Sequence, residues 1–123
     1  MKFLVIGRGT DFGGPIDPAV LHMALENLVL PSIQMLKDWE DKKAVVGGLF
    51  AAQRAGAIII DSPSGEELSK MLQSLPFWGQ NTWEVIPLQS FQSGVEDTKR
   101  QIENVKKMVK MSQTANSSPM PAE

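Results

Sequence analysis

The sequence predicts an α+β domain of split-βαβ, ferredoxin-like topology, an antiparallel four-stranded sheet with helices on one face. Three observations carry that expectation. Runs rich in β-branched residues alternate with runs of helical period in the order strand, helix, strand, strand, helix, strand. The two central apolar runs are separated by only Gln53 and Arg54, which makes them a hairpin rather than a crossover. With 42% apolar and 21% charged residues, the 123-residue chain has the composition of one packed core and not of a disordered polymer.

The elements follow in order. "KFLVIGR", residues 2 to 8, is branched and aromatic and stops at glycine, as a first strand should. The loop "GTDFGGPID" leads to Asp17, whose carboxylate suits a helix N-cap, and to Pro18, whose fixed φ suits the first helical position. Leu21, Ala24, Leu25, Leu28 and Val29 keep helical spacing. Pro31 interrupts them, so a kink or break is expected and the helix should fall into two segments. "AVVGGLFAA" (44 to 52) and "AGAIIID" (55 to 61) form the hairpin, with Gly56 the candidate for a positive φ at its turn. Gly47 and Gly48 inside a strand point to a bulge or a close backbone approach. Ser64 and Glu67 have capping-box spacing ahead of a helix that Pro76 closes, and residues 82 to 90 make the fourth strand. A second box, Ser93 to Glu96, opens a C-terminal helix with acids at its start and Lys106, Lys107 and Lys110 at its end. The expected organisation is a domain over 1–92, a helical extension over 93–111 and a disordered tail over 112–123.

Composition removes several function classes. A net charge of −2 and a pI near 5.4 argue against nucleic acid as a partner. Without cysteine there is no disulfide, thiol nucleophile or thiolate metal site, which fits a cytoplasmic protein. The single histidine, His22, rules out a multi-histidine metal centre within one chain. No apolar run reaches the ~20 residues of a bilayer span, and "MKFLVIGRG" is too short for a signal peptide, so no membrane partner is expected. "GRGTDFGG" lacks the spacing of a phosphate-binding loop. One sheet face of such a fold has no helix to cover it. Its apolar residues predict a homodimer closed sheet against sheet.

The stretch "AAQRAGAIIIDSPSGEELSKMLQSLPFWGQNTWEVIPL", residues 51 to 88, resembles the muconolactone delta-isomerase family. The shared features are small residues around the hairpin turn, Asp61-x-Pro63-Ser64 at a helix start, Leu72-x-x-Leu75-Pro76, and a last strand with Glu84 embedded before Leu88. The resemblance covers about a third of the chain. It implies a dimeric α/β barrel, often built into larger rings, and a cofactor-free isomerisation that shifts a double bond in a small unsaturated lactone. Where the family carries a histidine at the hairpin tip this chain has Gln53, which cannot titrate near neutrality.

The residue candidates follow from that chemistry. A lactone isomerase needs a base and a donor for a developing enolate oxygen. Glu84, flanked by Trp83 and Val85, is the candidate base, since desolvation would raise its pKa. Arg8 at the end of the first strand is the candidate carboxylate anchor, and Gln53, Trp78 and Trp83 are candidate pocket residues. Each has a plainer reading: a solvated edge acid, a surface arginine, a hairpin-tip amide, and two tryptophans packed in a dimer. The expected function is a small cofactor-free isomerase acting on an organic molecule. The alternatives are a non-catalytic ligand-binding or assembly protein of the same barrel class, which Gln53 favours, and a cofactor-independent monooxygenase, which only fold analogy supports.

Overall fold

The computed structural model describes residues 1–9 and 17–117, with side chains as far as residue 113. The chain divides into two compact units, Met1–Leu88 and Gln89–Glu123. The first contains β1 (Lys2–Gly9), α1 (Pro18–Ala24), a π-turn (Leu25–Val29), α2 (Leu30–Asp41), β2 (Val45–Leu49), β3 (Ala55–Asp61), α3 (Gly65–Gln73), a 3-10 turn (Trp78–Gln80) and β4 (Asn81–Leu88). The strands form one antiparallel sheet in the order β2-β3-β1-β4, which is compatible with the expected ferredoxin-like pattern. The glycine-rich stretch from 10 to 16, read as a loop without a phosphate site, and the tail from 118 lie outside the described residues.

The first helix starts as the sequence indicates. Asp17 accepts a hydrogen bond from the Ala19 amide at 3.0 Å, and Pro18 occupies the first turn. It does not break at Pro31. Helical structure continues from Pro18 to Asp41, and the proline is accommodated by the π-turn immediately before it. There the Leu30 N–H reaches back five residues to the Leu25 carbonyl. A regular helix would drive the Pro31 ring into the Asn27 carbonyl, and the wider turn relieves that clash. Ser32 completes the repair: its hydroxyl, fully buried, donates to the Leu28 carbonyl at 2.6 Å.

Contrary to the expectation that no segment has the length of a bilayer span, this 24-residue helix qualifies by length and composition, with a window of mean hydropathy 1.3. The sequence reading had divided the segment at Pro31 and so missed its full length. Only 6% of that window is buried: Met35, Leu36 and Trp39 on α2 pack against the core, whereas Val20, Met23, Leu25 and Leu30 are exposed.

β3 has the expected bounds, whereas β2 is shorter than 44–52 because the turn takes residues 50 to 54. The Phe50 N–H bonds the Ala55 carbonyl at 2.8 Å, and the residue with positive φ is Ala52 (60°), not Gly56. Gly47 marks a close backbone approach. A Cβ there would lie 2.1 Å from the Ala57 carbonyl oxygen, so only glycine lets the two strands meet.

The core lies between the sheet and the helices. Phe3 and Val5 of β1, Val45 of β2 and Ile60 of β3 meet Leu68 and Leu72 of α3 and Leu75 beyond it. The Ser64 hydroxyl caps α3 by accepting from the Glu67 amide at 3.2 Å. In the second unit, α4 (Phe91–Ser117) is longer at both ends than 93–111. Ser90, not Ser93, is its cap: the Ser90 hydroxyl accepts the Ser93 amide at 3.1 Å. Ser93 is already helical, and its own hydroxyl accepts from the Gln89 side chain at 2.9 Å. Val95, Ile102, Val105 and Val109 form an exposed stripe along α4.

Candidate functional site

A cavity of about 440 Å³ opens between the sheet and the long helix. Its existence follows from residue size. In the register, Gly7 of β1 stands between Gly56 of β3 and Trp83 of β4, and Gly47 lies on β2. The helix-facing side of the sheet therefore carries hydrogens where packed strands usually carry branched side chains. The roof is supplied by Leu21 and Ala24, by Leu25 and Val29 in the π-turn, and by Ile33 and Leu36 beyond it. The π-turn thus shapes the surface over the glycine floor.

One wall is aromatic. A Cβ on Gly7 would come within 2.7 Å of the Trp83 ring, so the indole lies directly against the bare backbone. Phe77 meets Trp83 edge to face, with centroids 6.0 Å apart and planes at 68°. The indole N–H donates to the Trp78 carbonyl at 2.9 Å, which fixes the ring's rotation. The Phe77 amide donates to the Ser32 hydroxyl at 2.9 Å, tying this wall to the helix that forms the roof. Polar side chains gather where β1 ends, the hairpin turns and β4 begins: Gln53, Arg54, Gln80 and Asn81. Lys37 and Glu40 of α2 complete the lining. The Lys37 pKa is held above its ordinary value, chiefly by the hydrogen bond and charge of Asp41 at 2.8 Å.

The residues singled out in the sequence divide between two faces of the sheet. Gln53 and Trp83 line the cavity, and Trp78, itself 40% exposed, acts through its carbonyl on Trp83. Glu84 and Arg8 lie on the other face. Successive strand residues point to opposite sides, so the tryptophan that precedes Glu84 cannot desolvate it. Glu84 pairs in register with Ile6 and is exposed. Arg8 reaches across the small Ala55 to set its guanidinium 5.6 Å from the centre of the Phe50 ring. Because Arg8 pairs with Thr82, the arginine and the acid are diagonal neighbours on this open face.

Sequence reading passed over Phe77, Arg54 and the roof residues. The glycines inside three strands were the available signal, since strand glycine marks a place where something else comes close. Among the described residues no group of three His, Cys, Asp or Glu side chains could hold a metal ion, and no buried side-chain polar atom lacks a partner. No known protein family and no curated protein matches the chain, so the likeness to the muconolactone isomerases rests on the quoted residues alone.

Proposed function

We propose that the protein binds a small, mainly apolar organic molecule in the cavity between sheet and helix. The supporting observation is the cavity itself: a volume within the ~300–1,000 Å³ range of small-molecule sites, apolar walls, an aromatic side, and a few polar groups, most of them at the hairpin end. The reading is tested with a neutral aromatic probe, 2-naphthamide, by thermal shift and calorimetry. The probe should raise the melting temperature of the wild type and leave Ala24→Trp, whose added ring fills the roof, unmoved. An equal shift in both proteins would place the probe elsewhere and sink the reading.

The same reading includes a homodimer closed through the open sheet face. Val46, Ile59, Leu4 and Ile86 stand side by side across all four strands, and Val46 is 71% exposed. Such a row is costly to leave wet. Arg8 and Glu84 beside it carry opposite charges, a self-complementary arrangement for two copies related by a two-fold axis. Ile59→Lys, on the face away from the cavity, should convert a dimer to a monomer in sedimentation while ligand binding persists. A wild type that sediments as a monomer at micromolar concentration would remove the dimer.

The placement of Arg8 and Glu84 on that shared face favours a second reading, in which the dimer encloses them and Glu84 moves a proton on an unsaturated lactone or enol. Muconolactone-type substrates followed by ultraviolet absorbance test it. Turnover that Glu84→Gln leaves unchanged takes the acid out of the reaction.

A further inference from the structure

The geometry points to Arg54 as the anchor for the carboxylate of an aromatic acid whose ring system occupies the cavity, an inference that rests on the ligand-binding reading and gives its ligand a chemical class. The cavity is polarised along the strand direction. β2 runs from the end of α2 toward the hairpin, so Glu40, the acid on the lining, and Arg54, at the hairpin, stand at opposite ends. The second cation on the lining, Lys37, is already engaged by Asp41 at 2.8 Å. Arg54 has no carboxylate partner among the described residues.

Its position is built into the backbone. The Gly9 N–H donates to the Arg54 carbonyl at 2.7 Å, closing the hairpin end onto β1. The Arg54 stem then passes over Gly9: its Cβ and Cδ lie 3.2 and 3.8 Å from where a Gly9 Cβ would be. A side chain at position 9 would crowd that stem. Arg54 lines the cavity together with Gln53 and Asn81, and all three side chains offer N–H donors to an anion.

The chemistry that matches is an amphiphile with a flat body and one anionic end. The bare glycine floor and the Trp83–Phe77 wall offer a planar ring system a flat surface and an aromatic side, and the branched roof residues cover its other face. The head group needs no burial, because Arg54 is exposed. A carboxylate can take two parallel N–H bonds from the guanidinium at the solvent edge while the ring leaves water. The desolvation cost that penalises buried ion pairs is largely avoided.

The test compares 2-naphthoate with 2-naphthamide, probes of the same shape that differ in charge, by calorimetric titration of the full chain at low salt. The wild type should bind the acid about tenfold tighter than the amide, an advantage that shrinks as salt is raised. In Arg54→Gln the two affinities should converge, and in Arg8→Gln the preference should persist, since Arg8 lies on the other sheet face. Equal affinities for the two probes in the wild type would overturn the anchor while leaving the ligand-binding reading intact. So would a preference that survives Arg54→Gln or disappears in Arg8→Gln. Failure of both probes to bind would overturn the ligand-binding reading and the anchor together.

Discussion

Ser32 joins the helix to the aromatic wall, and removing its hydroxyl has a cost that can be worked from the structure. The side chain is fully buried, donates to the Leu28 carbonyl at 2.6 Å and accepts the Phe77 amide at 2.9 Å. Ser32→Ala leaves the Phe77 N–H without an acceptor in a partly buried place, which costs about 1–3 kcal/mol. Alanine recovers about 0.5 kcal/mol through its better helix propensity. The net loss is then about 0.5–2.5 kcal/mol, or roughly 2–20 °C in melting temperature for a unit of this size. Urea titration measures it, with Ser69→Ala as the control: Ser69 accepts only an exposed Gln73 bond, so its loss should stay within about 0.5 kcal/mol. Amide exchange adds a local readout, because the Phe77 N–H should exchange much faster in the variant. A Ser32→Ala protein as stable as the control, with Phe77 still protected, would refute the idea that this hydroxyl ties roof to wall.

Two further predictions concern the site's walls. Gly7→Val places methyl groups where the Trp83 ring now lies 2.7 Å from a Cβ position, so the indole must move and the Phe77 edge contact is lost. Tryptophan fluorescence should shift and affinity for naphthyl probes should fall at least tenfold. Unchanged fluorescence and affinity would mean that Trp83 does not form the wall. Lys37 has a pKa raised by Asp41, so the pair adds stability below the ordinary lysine value, and that stability is lost as pH rises through the raised one. The small stability difference between wild type and Lys37→Met should be flat from neutrality to about pH 10 and should close above it. A difference that instead changed between about pH 6 and 8 would implicate another group.

How much of this was legible in the sequence depends on whether the governing interaction is local. Asp17 and Ser64 act within one helical turn, and both caps are formed as their spacing indicates. The strand order follows from alternating periods and one short hairpin. Pro31 was legible as a disturbance but not as to its outcome. Whether a helix breaks or absorbs a proline depends on the packing that holds both halves, and here the Ser32–Phe77 bond crosses 45 residues of sequence.

The site was less legible for the same reason. Trp83 announced itself by size, but the cavity beside it arises because Gly7 pairs with Gly56 on one side and with Trp83 on the other. That coincidence belongs to the register, which no single segment encodes. Glu84 was read from its neighbours in sequence, whereas a strand residue is surrounded by its neighbours across the ladder, here Ile6. Arg54 enters the sequence only as part of a short polar bridge, because the bond from Gly9 to its carbonyl is also long-range.

The most direct measurement is a crystal structure of the full chain grown with 2-naphthoate. The account predicts ring density between the Trp83 indole and the helix roof, over the glycine floor, with the carboxylate at the hairpin end. Density on the open sheet face beside Glu84 and Arg8, or an unfilled cavity at saturating probe, would contradict it.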